Sequence, residues 1–322
     1  MRIAPTDEQR LLRDSLRRLL PGLAAPAGKA TGPGDGLSGR NSDRWRRLAD
    51  LGVPGAGLPS EVGGLDGGPE EQAVIMEEAG RFLLPEPIGP VLASAEVVRA
   101  CGRAGEALLA DVAAGEARLV LVAGDTVPGG IVASGPRNGG WRLAGAAAAV
   151  VGAPAASAFV VAARLADGSN GLFLVPREEP GCVLRAFRTF DGRVAADLRL
   201  DDVAVGPDAL LCGGPTADAA LAAGRDLALV LLGAEALGIC EAVLDLTADY
   251  VRARQQFGQP IGAFQVVQHR LADMYVETDR LRSSVTGGLA GLGSGPAARR
   301  RAAAAVKVVA GRSGQYVAGQ GV

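Results

Sequence analysis

Apolar residues change their spacing twice along this chain, and that double switch narrows the available folds more than any other feature. Up to about residue 117 they recur at intervals of three and four. From Arg118 to Leu200 they gather in short runs, and from Ala217 the helical spacing returns and persists. A helix buries a stripe and a strand buries a face, so helical, then β, then helical patterning predicts an α+β fold built in chain order. The expected domains are a helical one over 1–117, a β-domain over 118–206 and a helical bundle over 207–322. With 322 residues the chain can bury about three quarters of the surface it exposes unfolded.

Local signals place the elements. Thr6 and Gln9 form a capping-box pattern ahead of Leu12, Leu16, Leu19 and Leu20, and Pro21 stops that helix. A Gly/Pro-rich stretch over 25–41 contains Gly34-Asp35-Gly36-Leu37-Ser38-Gly39, a literal G-x-G-x-x-G. No strand precedes it and no helix opens at its end, so it reads as a flexible loop and not as a dinucleotide fingerprint. Helices follow over 42–51, closing on Gly52, over 69–81, where Pro69, Glu70 and Glu71 suit a helix start, and within 89–115. The pair Gly63-Gly64 predicts a tight loop with positive φ.

Strand-like runs over 119–123, 141–143, 159–163, 172–175, 183–187 and 196–200 alternate with turn signals such as Asp167-Gly168-Ser169-Asn170-Gly171. A long helix over 226–254 then breaks at Phe257-Gly258-Gln259-Pro260-Ile261-Gly262. Helix resumes from Gln265, with Leu271, Met274, Thr278 and Leu281 on one face, and a last helix from Pro296 is expected to be still running at Val322.

Composition excludes several functions. Thirty-three basic against 35 acidic side chains give a net charge of -2, which supplies no field to recruit nucleic acid or an anionic membrane. His269 is the sole histidine, and Cys101, Cys182, Cys212 and Cys240 never approach C-x-x-C spacing, so a metal site is not expected. Scattered cysteines and a start without an apolar signal region suit a reducing cytoplasm. The stretch 144–163 reaches bilayer length, but it is Ala/Gly-rich and holds Pro154 and Ser157, so it reads as domain core and no membrane insertion is expected.

The segment Arg254-Gln255-Gln256-Phe257-Gly258-Gln259-Pro260-Ile261-Gly262-Ala263-Phe264-Gln265 closely resembles the R-x-x-F-G-x-x-I-x-x-x-Q signature of acyl-CoA dehydrogenases. The 59–64 loop, Gly80-Arg81 after Glu77-Glu78, and Gly115-Glu116 look like the same family. The resemblance implies an amino-terminal α-helical domain, a central β-domain and a carboxy-terminal four-helix bundle. It implies FAD wedged between subunits of a dimer of dimers, that is a homo- or hetero-oligomeric tetramer. Its substrate would be an acyl-CoA or related thioester, and an acceptor such as electron-transfer flavoprotein would take the electrons. In that chemistry a glutamate removes the α-proton while the β-hydrogen leaves as hydride to the flavin.

Carried over by position, the resemblance assigns Arg254, Gln256, Phe257 and Gln265 to the pyrophosphate and adenine end of a neighbouring subunit's FAD. A guanidinium can fork two bonds to pyrophosphate, amides pair with polar edges, Phe257 offers an apolar wall and Gly258 admits close backbone approach.

The departures are as informative. Only Thr126 can stand for the hydroxyl that the family offers to the flavin ring, and the second flavin-facing segment, 145–153, is nearly all alanine, valine and glycine. On the long helix, the D-x-x-R that meets coenzyme A keeps Asp226 but has Leu229 for arginine, and an alternative base position holds Ala228. The usual base is expected beyond Val322, which leaves Glu235 as the candidate carboxylate within the chain. Two further readings stay open: a non-catalytic partner subunit that completes a companion chain's FAD site, and a related tailoring enzyme acting on a carrier-bound thioester.

Overall fold

The computed structural model describes residues 5–23, 42–102, 105–123, 127–137 and 139–321. The Gly34–Gly39 motif and Thr126 lie outside the described residues. The chain forms two compact units that interleave in sequence: one holds Met1–Ala25, Pro69–Leu84 and Asp226–Val322, the other Pro26–Gly68 and Pro85–Arg225.

The second unit is built on one mixed sheet. Its strands are β1 (Leu119–Ala123), β2 (Ile131–Arg137), β3 (Gly140–Val151), β4 (Ala158–Arg164), β5 (Asn170–Pro176), β6 (Cys182–Arg188), β7 (Val194–Val205) and β8 (Leu210–Gly213). They run in the order β6-β7-β3-β2-β4-β5-β8, and β1 lies parallel to β4. Val120, Leu143, Phe159, Val161, Phe173, Val175 and Leu198 bury the sheet's core, and Trp141 meets Phe173 edge-on at 5.2 Å. Branched and aromatic side chains fit such a pleated, half-buried surface, which is why those runs were legible as strands.

Two strands escape the sequence pattern for identifiable reasons. The second half of β2 passes through Ser134, Gly135 and Pro136, which carry no strand signal, and β8 is only four residues long. The alanine run 144–149 also becomes strand, because β3 pairs along β7 with Ala146 opposite Arg199 and Ala147 opposite Leu198. Tertiary pairing overrides alanine's weak β preference there. The apolar stretch 144–163 is therefore the end of β3, a 3-10 turn at Ala153–Ala155 and β4, buried in the sheet's unit.

Among the described residues, this unit also holds α2 (Ser42–Asp50), α4 (Ile88–Ala100), α5 (Glu106–Ala113) and the first turns of a long helix that begins at Pro215. Gly52 and Gly63 take positive φ as expected, whereas Gly64 is required for space, since a Cβ there would overlap the Leu58 carbonyl. Trp45 on α2 donates from Nε1 to the Gly115 carbonyl at 2.7 Å, and Arg118 stacks on its ring at 4.8 Å. Cys101, at the end of α4, and Cys212, in β8, are joined as a disulfide with Cα atoms 5.4 Å apart. This corrects the expectation of unpaired thiols: 111 residues of chain separate the pair, and distance in sequence says nothing of distance in the fold. The cysteines thus give no support to a reducing compartment.

The first unit is helical, with α1 (Asp7–Leu19), α3 (Pro69–Arg81), the greater part of α6 (Pro215–Ala253), α7 (Gln265–Leu292) and α8 (Pro296–Gln320). Thr6 and Gln9 make the capping box reciprocally, at 3.2 and 3.1 Å. Met274, Thr278, Leu281 and Val285 form the buried face of α7. The last helix closes earlier than expected: α8 ends at Gln320, and the Gly321 N–H bonds the Val317 carbonyl at 3.1 Å. Among the described residues, α6 is the one helix long and apolar enough to cross a membrane by length and composition. Leu227, Val230, Leu231, Ala234, Leu237 and Cys240 are nevertheless buried by its neighbours.

Charge is organised around α3. Glu78 is buried and accepts from Arg13 at 2.8 Å and from Arg17 at 3.0 Å, both on α1, while Arg81 and Arg282 meet Glu241 on α6. Burial and the nearby Glu77 raise the Glu241 carboxyl above its ordinary value, against the pull of Arg282.

Candidate functional site: the corner between α6 and α7

Helix α6 stops at Ala253, and the chain reverses through a two-residue hairpin. β9 (Gln255–Gln256) pairs antiparallel with β10 (Gln259–Pro260), and Phe257 and Gly258 form the turn between them. Both turn residues have positive φ, 53° and 81°, the backbone of a type I′ turn. Glycine adopts that conformation without strain, but phenylalanine does not, so the Phe257 backbone is held by its surroundings. Arg254 anchors the hairpin twice: its N–H bonds the Tyr250 carbonyl and its carbonyl accepts from the Ile261 N–H, each at 2.8 Å. A 3-10 turn at Ile261–Ala263 then leads into α7, whose first turn is tied back by Gln268 Nε2 donating to the Gly262 carbonyl at 3.0 Å.

This geometry brings four of the sequence-derived candidates together. Arg254, Gln256, Phe257 and Gln265 are all exposed on one corner, with Phe257 at 91%. Phe257 leans edge-on against Phe264 at 6.0 Å, and Gln256 spends its amide on the Gln255 carbonyl at 2.9 Å. Arg254 has no carboxylate partner among the described residues. An outward guanidinium beside an aromatic face and side-chain amides is a donor set suited to a pyrophosphate carrying a flat heterocycle. The chemistry of the corner therefore fits the nucleotide half of FAD.

The other candidates lie far along α6. At a rise of about 1.5 Å per residue, Asp226 stands roughly 40 Å from Arg254 and Glu235 roughly 28 Å. Asp226 is buried and accepts from Arg299 Nε of α8 at 2.7 Å, so its carboxylate is already paired. Glu235 is 5% exposed, on the face of α6 that crosses α3 at Gly80. His269 is exposed on the first turns of α7.

Beside the corner, the end of α6, the start of α7 and Gly321 enclose an apolar groove of about 690 Å³, lined by Leu246, Tyr250, Ile261, Val266 and Met274 among others. Sequence reasoning missed it, because these residues serve as helix faces and only their convergence makes a groove. The 145–153 segment carries no side-chain donor, and Ala149, at φ 52°, gives its N–H to the Asp197 carboxylate at 3.0 Å.

Two families match this chain by sequence: the acyl-CoA dehydrogenase N-terminal domain over residues 6–107 and the acyl-CoA dehydrogenase C-terminal domain over 217–322. The acyl-CoA dehydrogenase FadE27 of Mycobacterium tuberculosis is 33% identical over 246 residues, covering 75% of this chain and 64% of FadE27. The chain thus spans just under two thirds of that relative's length. The acyl-CoA dehydrogenase IpdE2 of the same organism is 30% identical, covering 88% of this chain and 76% of IpdE2. Among solved structures, the Tcur3481-Tcur3483 steroid ACAD superposes with a TM-score of 0.85 at 31% identity, over 98% of this chain and 86% of that one. The ChsE4-ChsE5 complex of Mycobacterium tuberculosis superposes at 0.86 with 26% identity, over 100% of this chain and 87% of that one.

Proposed function

This chain belongs to the acyl-CoA dehydrogenase family, and from that premise we propose that it works as one subunit of a mixed oligomer that desaturates an acyl-CoA thioester, lending its Arg254–Gln265 corner to FAD held mainly by a companion chain. The observation that carries this reading is the corner itself. Its donors and aromatic ring are exposed, open to a cofactor that a neighbouring subunit would present. The paired-chain names of the two steroid-type and ChsE structures support a mixed assembly. Members of the family are FAD-dependent flavoproteins, and the bound flavin supplies the two-electron acceptor for the β-hydrogen.

The chain's own residues would bind and orient. Arg254 holds the pyrophosphate, Gln256 and Gln265 reach polar edges of the nucleotide, and Phe257 excludes water from one face. The alanine-rich part of β3, 144–151, carries no side-chain donor that could serve a flavin ring, which favours this donating role over a self-sufficient site. Thr126 is the hydroxyl that could contribute on that side, and Asp226 the carboxylate that could meet substrate if Arg299 released it. Glu235, buried on α6, is the base this chain could offer. Electrons would pass to an external acceptor such as electron-transfer flavoprotein, in the cytoplasm.

The test is to purify the chain alone and with the product of its genomic neighbour, then record flavin absorbance and dye-coupled oxidation of an acyl-CoA panel. Colour and turnover only after co-expression are expected. A yellow, active lone chain would establish a self-contained dehydrogenase, and a colourless co-expressed assembly would refute the flavoprotein reading. Unchanged turnover in Glu235→Gln would remove Glu235 as a base.

A further inference from the structure

In the unit built on the sheet, the Cys101–Cys212 bond joins the end of a helix to the weakest edge of the sheet. Cys101 closes α4, where its N–H bonds the Val97 and Val98 carbonyls at 3.2 and 3.1 Å, and Cys212 lies in β8, opposite Leu172 of β5. Among the described residues, β8 is a four-residue edge strand with β5 as its neighbour, and their pairing shifts register between Leu172 and Phe173. Past β8 the Gly214 N–H bonds the Asn170 carbonyl at 2.8 Å, and α6 begins. Helix α6 then returns to α4, since a Cβ at Gly224 would overlap the Val97 side chain and press on the Ala93 carbonyl. The segment from Cys212 to Gly224 is thus fastened to α4 at both ends, covalently at Cys101 and by packing at Val97.

The two fastenings differ in what can undo them. Ala217 and Ala220 of α6 are buried, as are Val91, Val97 and Val98 of α4, so the packed end holds without the bond. At the covalent end both cysteines are only half-buried, and Gly102 beside them is exposed. A disulfide that solvent can reach is open to thiol exchange, and a short edge strand is the part of a sheet that opens first. We propose that Cys101–Cys212 is a reversible thiol–disulfide switch, which orders β8 and the start of α6 when oxidised and releases them when reduced, with the rest of the sheet folded in both states. The reductant is a dithiol, small or protein-borne. Its thiolate attacks one sulfur of the pair and forms a mixed disulfide as the Cys101–Cys212 bond breaks, and its second thiol then displaces the remaining protein sulfur. Two electrons and two protons pass to this chain, which gains two thiols while the dithiol becomes a disulfide; oxidised glutathione reverses the exchange. None of this depends on the dehydrogenase reading.

Hydrogen exchange followed by mass spectrometry, on the full chain and on the co-expressed assembly, tests the switch in oxidised and dithiothreitol-reduced forms. Denatured without reductant, the oxidised chain is expected to show two thiols, Cys182 and Cys240, rising to four with dithiothreitol and returning to two with oxidised glutathione. Reduction should speed exchange of the 210–214 amides by about tenfold or more, while the amides of β4 keep their protection. The double variant Cys101→Ser/Cys212→Ser should exchange like the reduced chain and ignore dithiothreitol. Four thiols in chain purified under air would deny the bond, unaltered exchange over 210–214 would make it inert, and lost protection in β4 would make it a staple for the whole sheet; each overturns the inference. Should the double variant fail to fold, reduced wild type carries the test, because it needs no substitution. A colourless assembly that passes would refute the flavoprotein reading and leave the switch standing.

Discussion

Gly80 of α3 and Gly238 of α6 face each other at the crossing of their helices, each pressed against the other helix's backbone. A Cβ at Gly238 would overlap the Glu77 carbonyl, and one at Gly80 would overlap the Glu235 carbonyl. Neither obstacle is a flexible side-chain end, so a methyl group at either position must push the helices apart. We expect Gly238→Ala to lower unfolding free energy by about 1–3 kcal/mol or more. Urea titration followed by circular dichroism checks it, and a midpoint equal to wild type would show that the crossing is looser than the structure has it.

Glu78 holds two arginines of α1 while itself only 1% exposed. Removing a buried charge's partner is costlier than never having formed the pair, and Arg13 and Arg17 keep enough solvent contact to lessen the loss. Glu78→Ala should therefore cost about 2–4 kcal/mol at neutral pH. Restoration of most of that stability in Glu78→Gln would mean that hydrogen bonding, rather than charge, dominates there.

Phe257 sits at φ 53° while its ring is almost wholly exposed. Within the isolated chain, Phe257→Asn should preserve or raise the melting temperature, since asparagine tolerates this backbone region and relief of such strain is worth about 1 kcal/mol. In the flavin-replete assembly the same substitution should lower FAD retention, read as the absorbance ratio near 450 and 280 nm after gel filtration, at about those wavelengths for any flavoprotein. Unaltered flavin content would separate the ring from the cofactor.

Thiol reactivity should divide the cysteines. Cys101 and Cys212 are paired, Cys240 is buried with its thiol pushed up to about 11 by burial, and Cys182 is partly exposed. Under native, non-reducing conditions iodoacetamide should modify Cys182 first, leaving Cys240 slow and the pair untouched. Peptide mass spectrometry showing Cys101 and Cys212 alkylated would show the pair to be open in solution.

Burial raises the Glu86 carboxyl above its ordinary value, although Arg44 at 3.5 Å opposes this, and Glu86 Oε2 is a buried oxygen without a hydrogen-bond partner. With a folded-state pKa above the unfolded one, its contribution is greatest below the unfolded value and is lost as pH rises through the folded value. The stability of wild type relative to Glu86→Gln should thus increase as pH falls from 7 toward 4. A pH-independent difference between the two would contradict the shift.

Much of this was legible beforehand because it is local. The capping box of α1, the bounds of α3 and the start of α8 at Pro296 follow from short-range chemistry acting within a few residues. The corner was legible as well: Gly258 and Pro260 force a reversal, and the residues around it match a long signature. What local chemistry does not encode is which surfaces meet. The alanines of β3 became strand only because β7 lies beside them, and Asp226 lost its free carboxylate only because α8 returns Arg299 to it.

By itself, then, the amino-acid order determined the helix–sheet–helix plan, the reversal at Phe257-Gly258 and the family to which they belong, because periodicity and turn preference act over a few bonds. The tertiary structure alone decided that Gly80 must meet Gly238 and that Cys101 must find Cys212. Each of those relationships joins residues distant in the chain, and only close packing sets such distances.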